Sequence, residues 1–195
     1  MQNGRVSSHD ASHAGSCKGK LLVATPPLAD PNFDRTVVYM LEHTGDGAVG
    51  VVLNRPSPGA APEVATRWED WLSPPATLFD GGPVETDALI ALARLTGPAE
   101  GAWSQVLGDL GSVDLGHDPA LVADRVDQLR IFRGYSGWGP YQLDNELNEG
   151  AWMVLPAEQG DVFHAEPGDL WRIVLRRQGG RLAWVANAPD DLSSN

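Results

Sequence analysis

Cysteine and long apolar runs are both scarce in this sequence. Cys17 is the only cysteine among 195 residues, so no disulfide can form within the chain, which suits a reducing compartment. No stretch reaches the roughly 18 apolar residues that a membrane helix needs. Residues 1–16 also lack the apolar core of a secretory signal. We therefore expect a cytoplasmic protein that does not associate with a membrane.

Positive charge is scarce as well. The chain has 14 Lys and Arg against 26 Asp and Glu, for a formal net charge of −12 at pH 7. Such a surface repels the phosphate backbone that supplies most non-specific affinity for nucleic acids. One arginine cluster is interpreted as the solvated face of a helix: Arg172, Arg176, Arg177 and Arg181. The charge balance therefore argues against direct nucleic-acid binding.

The N-terminal segment has no pattern typical of a folded element. Residues 1–18 are polar and lack apolar periodicity, which predicts a disordered tail ahead of a single domain at residues 19–195. His9, His13 and Cys17 are four residues apart and would share one face of a helix, as metal ligands can. Nothing nearby would order these three side chains, so we expect no metal site. The sequence also lacks the glycine patterns of phosphate-binding and dinucleotide-binding loops, and we expect no cofactor.

Apolar and β-branched runs predict the strands, and capping residues predict the helices. The predicted strands are 19–25, 36–42, 47–54, 130–134, 151–155 and 182–186, with 36–42 and 47–54 forming an antiparallel hairpin. The predicted helices are a short one within 62–75 and longer ones at 118–130, 140–149 and 167–178. Residues 88–94 are compatible with either a helix or a strand. These elements indicate one mixed α+β domain.

Several motifs follow one another in a specific order. They are Gly19-Lys-Leu-Leu-Val-Ala-Thr-Pro26, Asp30-Pro-Asn-Phe-Asp-Arg-Thr-Val-Val38, Gly47-Ala-Val-Gly-Val-Val-Leu-Asn-Arg-Pro56, Phe79-Asp-Gly-Gly-Pro-Val84 and Gly134-Tyr-Ser-Gly-Trp-Gly-Pro-Tyr-Gln-Leu-Asp-Asn-Glu146. Together they resemble the AlgH/YqgE family, from about Gly19 to the C-terminus. The family commonly has glycine where this chain has Tyr141, and alanine where it has Ser136.

The resemblance implies a fold and leaves the function open. The implied fold is α+β, with a mixed, bifurcated and partly barrel-like β-sheet surrounded by helices, and it makes residues 88–94 a strand. The resemblance implies no established reaction, cofactor or catalytic residue. The AlgH name comes from an association with the regulation of alginate synthesis, which suggests a link to transcriptional regulation without giving a mechanism.

Ser136 is a candidate nucleophile. A nucleophile elbow has the pattern Gly-x-Ser-x-Gly, whereas the second glycine here comes one place early, in Gly134-Tyr-Ser-Gly-Trp138. A serine hydrolase would also need a base and an acid, for which His164 and either Asp144 or Asp161 are available. Because relatives have alanine at this position, we expect no catalytic residue. The carboxylates that could form an acid–base pair instead are Asp80, Asp144 and Glu146.

The strongest candidate surface combines a glycine-rich loop, a helix start and nearby polar groups. Glycines surround Trp138 just ahead of the helix predicted at Pro140, where backbone donors and the helix dipole favour a polar ligand. The Gly81–Val84 segment is either a nest of backbone N–H groups or only a turn. The candidate ligand-binding residues are Arg35, Asn54, Asp80, Gly81, Gly82, Gly134, Tyr135, Gly137, Trp138, Gln142 and Glu146. The alternative is a structural polar network that fixes loops to the sheet.

From the sequence we expect a non-catalytic binding or regulatory module. Its partner would be a protein or a small polar ligand held at this surface. The alternative is a hydrolytic enzyme that uses the same Gly134–Glu146 surface.

Overall fold

The computed structural model describes residues 15–26, 28, 30–58, 63–97, 103–122 and 124–187, with residues 63 and 64 described for their backbone only. The strands in these ranges are β1 Lys20–Ala24, β2 Val37–Thr44, β3 Gly47–Val52, β4 Phe79–Asp80, β5 Val84–Leu95, β6 Trp103–Leu107, β7 Leu110–Val113, β8 Val126–Trp138 and β9 Trp152–Pro156. The α-helices are α1 Glu63–Thr66, α2 Gln142–Asn148, α3 Leu170–Arg177 and α4 Gly180–Val185. Short 3₁₀ turns lie at Glu69–Trp71, Pro119–Leu121 and Pro167–Asp169.

The strands form one curled sheet that forks at β8. The strand order is β6-β7-β5-β8-β3-β2-β1-β9, with antiparallel neighbours throughout, and β4 pairs in parallel with β8 outside this path. The first part of β8 pairs with β5, whereas its last residues, Ser136–Trp138, pair with β3. The expected α+β fold, with a mixed, bifurcated and partly barrel-like sheet and surrounding helices, is confirmed.

Helix α3 covers the first of three apolar clusters. Its apolar residues recur at helical spacing, so Leu170, Trp171, Val174 and Leu175 share a face and are buried. They pack against apolar residues of β1, β2 and β3. The indole N–H of Trp171 donates to the carbonyl oxygen of Ala24 at 3.0 Å, which ties the helix to β1.

The other two apolar clusters lie around tryptophans. One surrounds Trp68 and joins β5 to the start of β8. The other contains Trp138 and Trp152, whose rings meet edge to face with centroids 5.9 Å apart, and it holds α2 against the sheet through Leu143.

Most predicted elements are confirmed. The predicted strands at 19–25, 36–42, 47–54 and 151–155 overlap β1, β2, β3 and β9, and β2 and β3 form the predicted antiparallel hairpin. Residues 88–94 lie inside the long strand β5, as the family resemblance implied. The predicted helices at 140–149 and 167–178 contain α2 and α3.

The helix predicted at 118–130 is wrong beyond its first turn. Asp118 does cap a helical turn, since its side chain accepts a hydrogen bond from the Ala120 N–H at 3.0 Å. The turn ends at Leu121, and β8 begins at Val126. Residues 126–133 pair with β5, and this non-local pairing overrides a local spacing that also suits a helix.

The strand predicted at 182–186 is also wrong, because residues 182–185 belong to helix α4 and Ala186 is its C-cap. Val185 and Ala186 follow Leu182 by three and four residues, so a helix places them on the same side as Leu182, where all three pack into the cluster under α3. Trp184 lies outside this face and is 82% exposed. No helix among the described residues is both long enough and apolar enough to cross a membrane.

The structure describes residues 15–18, the last four residues of the predicted N-terminal tail. Cys17 is buried among apolar residues, and its backbone N–H donates to His43 Nδ1 at 3.2 Å. Ser16 Oγ donates to the His43 carbonyl oxygen at 3.2 Å. Cys17 therefore behaves as a small core residue, which a polar neighbourhood in the sequence had concealed. Residues 1–14, including His9 and His13, lie outside the described residues, and the domain boundary otherwise stays a prediction.

Candidate functional site

The predicted glycine-rich loop before α2 is a strand up to Trp138. Ser136, Gly137 and Trp138 face Gly50, Val49 and Ala48 of β3 in antiparallel register. Their backbone groups therefore belong to the sheet ladder and do not form an open ring of donors. The structure corrects the prediction of a free loop there. The physical reason is that β3 would otherwise have an unpaired edge at the fork, so its backbone groups need β8.

Helix α2 begins after a residue in the left-handed region. Tyr141 has φ 59°, which glycine adopts without strain and tyrosine does not. This conformation explains why glycine is common at this position in the family that the sequence resembles.

Gly81 and Gly82 form a structural crossing at the fork. The Gly81 N–H donates to the Arg133 carbonyl oxygen at 2.8 Å, and the Gly81 carbonyl oxygen accepts from the Val52 N–H at 2.9 Å. Gly82 has φ 153° and lies against the backbone of Tyr135, where a Cβ atom would overlap the chain. Because the Gly81 N–H is already bonded, a turn that holds the fork together describes this segment better than an anion nest.

Trp138, Gln142 and Glu146 form a closed hydrogen-bond cluster. Glu146 Oε2 accepts from the indole N–H of Trp138 at 2.9 Å and from that of Trp152 at 2.8 Å. Glu146 Oε1 accepts from Gln142 Nε2 at 2.9 Å, and Gln142 Oε1 accepts from the Gly139 N–H at 3.1 Å. This carboxylate thus links α2 to β8 and β9.

Arg35 and Asn54 belong to a second polar network. Asn54 Oδ1 accepts from the Val37 N–H at 2.9 Å, and Asn54 Nδ2 donates to the Arg35 carbonyl oxygen at 2.8 Å. The Arg35 guanidinium lies 5.2 Å from the centre of the Trp171 ring. Arg35 and Asn54 both line a cavity of about 340 Å³, whose other lining residues are Asp34, Arg55, Gly168, Trp171 and Arg172.

A larger cavity, the arginine cavity, opens beside the fork in the sheet. Its volume is about 580 Å³, and its lining residues are Pro31, Asn32, Val52, Arg55, Asp80, Gly82, Pro83, Thr86, Asp87 and Arg133. Of the predicted site residues, Asp80 and Gly82 lie here. The sequence prediction missed Arg55 and Arg133, although Arg55 stands next to Asn54 within a quoted motif.

Arg55, Asp80 and Arg133 lie side by side across three neighbouring chain segments, which we call the arginine row. Pro56 and Phe79 form an antiparallel bridge, and the Asp80 N–H donates to the Arg55 carbonyl oxygen at 2.8 Å, which places Arg55 opposite Asp80. Asp80 in turn is the register partner of Arg133 in the parallel pair of β4 and β8. Adjacent strands lie about 4.8 Å apart, so the three side chains share one face. All three line the arginine cavity.

Within the described residues, the contacts of the row leave several guanidinium N–H groups available. Arg133 Nη2 donates to Asp80 Oδ1 at 2.8 Å and to Ser57 Oγ at 3.3 Å. Arg55 Nη2 donates to the Asp34 carbonyl oxygen at 2.7 Å, an uncharged acceptor. A guanidinium carries five N–H donors, so both arginines can bind further acceptors in the cavity.

The residues considered for hydrolysis are engaged elsewhere. The Ser136 side chain is buried, and its hydroxyl donates to the Gly81 carbonyl oxygen at 3.2 Å. His164 Nδ1 accepts from the Glu166 N–H, and Asp161 forms a two-pronged ion pair with Arg177. Asp144 lies 3.8 Å from His43 Nε2. The candidate carboxylates Asp80, Asp144 and Glu146 thus each have a different partner.

We expect Ser136→Ala to fold normally. The hydroxyl contributes one buried hydrogen bond, so the free energy of unfolding should fall by about 0.5–1.5 kcal/mol in urea titrations. A fluorophosphonate probe should label neither protein. Labelling of the original chain that disappears in the alanine variant would show a reactive serine and contradict this expectation.

The described residues contain no group of three or more His, Cys, Asp or Glu side chains that could hold a metal ion. Burial raises the pKa of the Cys17 thiol, which disfavours the thiolate form that binds metals. His9 and His13, the other two members of the possible metal-binding set, lie outside the described residues.

The fold and the cavity define an α+β half-barrel domain with a polar cavity at the fork of its sheet. The sequence matches the model of the AlgH-like family over residues 21–183, and the chain belongs to that family. A UPF0301 protein of Streptomyces coelicolor is 50% identical over 189 residues, which cover 94% of this chain and 98% of that protein. A UPF0301 protein of Mycobacterium leprae is 44% identical over 181 residues, which cover 91% of this chain and 90% of that protein.

Two solved structures share the fold. The crystal structure of a protein from Corynebacterium diphtheriae superimposes with a TM-score of 0.81 at 30% identity, covering 87% of this chain and 91% of that one. The solution structure of the AlgH protein from Pseudomonas aeruginosa gives a TM-score of 0.68 at 30% identity, and the match covers 92% of this chain and 98% of that one. The family resemblance of the sequence is thereby confirmed.

Proposed function

We propose that this protein is a non-catalytic binding module that holds a small polar ligand in the arginine cavity. The observation that carries the proposal is the arginine row, in which two guanidinium groups with available N–H donors face an open cavity. Cavities of about 300–1,000 Å³ that contain a few convergent polar groups are typical ligand sites. The size and lining of this one support a ligand of metabolite size.

A hydrolytic function has less support. An activated nucleophile needs a base within hydrogen-bond reach, whereas the Ser136 hydroxyl is buried against a backbone carbonyl. Glu146, one of the candidate carboxylates, already accepts hydrogen bonds from two indoles and an amide. A carboxylate held in this way is suited to fixing a helix.

Ligand binding also offers a route to regulation that does not require contact with DNA. The formal net charge of −12 opposes binding to a phosphate backbone. In this proposal the protein acts in the cytoplasm, and any effect on transcription passes through the ligand-bound state and a further partner.

A cavity-filling variant tests the proposal without assuming the charge of the ligand. Thr86 is exposed and lines the cavity, so Thr86→Trp should obstruct it for any occupant. Amide and side-chain chemical shifts would be followed while mixtures of small carboxylic acids, phosphates, amines and sugars are added. We expect at least one class to shift resonances of the arginine row, and Thr86→Trp to abolish that effect.

Ser104→Trp is the matched control. Ser104 is an exposed strand residue that lies outside the lining of the arginine cavity. This variant should leave the ligand-induced shifts unchanged. The proposal would be contradicted if no class shifted the arginine row, or if Thr86→Trp bound the active class as well as the original protein does.

A further inference from the structure

We propose that the ligand of the arginine cavity is an oxyanion of the carboxylate or phosphate class, held by Arg55 and Arg133, with Asp80 as an internal competitor for Arg133. This inference rests on the proposed function and specifies the chemistry of its ligand.

The charge of the arginine row supports an anion. The row contains two guanidinium groups and one carboxylate, so it carries a net positive charge within a chain of net charge −12. A positive cluster in a concave site attracts anions more strongly than the same charges on a convex surface. The row itself therefore attracts a small anion, although Asp87 brings the formal charge of the whole cavity lining to zero.

The hydrogen bonds of Arg55 point to the same ligand. Its contact is with the Asp34 carbonyl oxygen, although Asp80 stands opposite it across the backbone bridge. Asp80 instead binds Arg133 at 2.8 Å. Arg55 thus lacks a carboxylate partner in the row, and an oxyanion in the cavity would supply one through charge-assisted hydrogen bonds.

The Asp80 carboxylate competes with an anionic ligand for the donors of Arg133. In the structure it occupies one donor position of Arg133, while the remaining donors of both arginines stay available to a ligand. An entering oxyanion must approach this carboxylate, which lowers affinity through like-charge repulsion. Removing the charge of Asp80 should therefore strengthen the binding of an anion and weaken the binding of a cation.

The second carboxylate of the cavity limits how much negative charge the ligand can carry. Asp87 is exposed and lines the cavity. With Asp80 and Asp87 both present, a highly charged polyanion would meet repulsion on two sides. The geometry thus favours a small oxyanion over a nucleic-acid backbone.

The test compares Asp80→Asn with the original protein. The probes are inorganic phosphate, succinate and 1,4-diaminobutane, each titrated at constant ionic strength while the Nε–H signals of Arg55 and Arg133 are followed. We expect phosphate or succinate to bind, and Asp80→Asn to bind it about five- to tenfold more tightly, as loss of a nearby like charge implies. Which of the two anions binds more tightly identifies the carboxylate or the phosphate source.

Further variants separate this inference from general charge effects. Arg55→Gln should weaken anion binding by about tenfold or more, since it removes a charge-assisted contact. Arg181→Gln and Asp46→Asn change the net charge by the same amounts at exposed positions outside the cavity, and should leave affinity nearly unchanged. Dispersion of the amide spectrum confirms that each variant is folded, and Arg55→Gln gives an independent readout if Asp80→Asn unfolds.

The outcomes are distinct. Tighter anion binding in Asp80→Asn together with weaker binding in Arg55→Gln supports the inference. Binding of 1,4-diaminobutane that Asp80→Asn weakens, or binding of an uncharged ligand that neither variant alters, overturns it and leaves the proposed function intact. If neither phosphate nor succinate shifts the arginine row, the inference fails as well. If no ligand class from the wider screen binds in the cavity, the proposed function fails with it.

Discussion

Replacing Gly134 with alanine is expected to cost about 2–6 kcal/mol of folding stability. Gly134 has φ 67°, the left-handed region that residues with a Cβ atom adopt at a cost. A Cβ atom there would lie 2.6 Å from the Gly82 carbonyl oxygen and 3.0 Å from that of Val84. Both neighbours are backbone atoms, so the strand crossing at the fork would have to move.

The matched control is Gly137→Ala on the same strand. Gly137 is exposed and lies outside the left-handed region, and a Cβ atom would first meet the flexible side chain of Tyr135 at 3.3 Å. Its stability should change by less than about 1 kcal/mol. Urea unfolding of both variants gives the comparison. Equal losses at the two positions would show that the strain at the fork does not depend on Gly134.

The position of this strain could not be predicted from the sequence. The sequence predicted a glycine-rich loop around Trp138, because glycines at 134, 137 and 139 precede the proline of the predicted helix. In the structure β8 continues to Trp138. Within β8, the residue with a left-handed backbone conformation is Gly134. A bent strand and a loop have similar glycine content, and only the pairing with β3 and β5 distinguishes them.

Regular elements were more accessible to prediction than contacts between them. β2 and β3 are rich in β-branched residues and are joined by a short turn, so their hairpin follows from local sequence. Helix α3 follows from the helical spacing of its four buried residues. Both inferences use interactions among residues that are close in the chain.

The arginine row depends on contacts between distant residues. Arg55 and Arg133 are brought together by β4, a strand of two residues that pairs in parallel with β8. A strand that short carries no usable periodicity, and parallel pairing leaves no signal in a turn. The sequence could therefore nominate Asp80 and Gly82, which lie in a recognisable motif, but could not show which cations accompany them.

Arg130 is the second position where a large loss of stability is expected. It is 1% exposed and lies on β8, on the opposite face from Arg133. Burial lowers the pKa of Arg130 to about 10, so its guanidinium is still charged at pH 7. Its Nη1 and Nη2 atoms donate to the carbonyl oxygens of Val162, His164 and Pro74, whereas its buried Nε–H has no hydrogen-bond partner among the described residues. The guanidinium lies 4.2 Å from the centre of the Phe79 ring.

Arg130→Met should lower the free energy of unfolding by on the order of 3–5 kcal/mol. Methionine fills much of the volume but cannot donate a hydrogen bond, so three carbonyl oxygens would lose their partner. The segments that carry these carbonyl oxygens can shift toward water. The loss of stability should therefore be smaller than the summed cost of three buried, unsatisfied carbonyl groups. Arg133→Met, on the exposed face of the same strand, should cost less than about 1 kcal/mol.

Hydrogen exchange can distinguish the loss of the Arg130 hydrogen bonds from a general loss of packing. The side chain of Arg130 joins β8 to the segment at Val162 and His164, so Arg130→Met should speed exchange there more than in β1 or β2. Arg130→Lys keeps the charge but lacks the planar fork that reaches three acceptors at once. Arg130→Lys should therefore lose more than half of the unfolding free energy that Arg130→Met loses relative to the original protein. Near-original stability in the lysine variant would show that charge alone, rather than the forked contacts, holds the segment to the sheet.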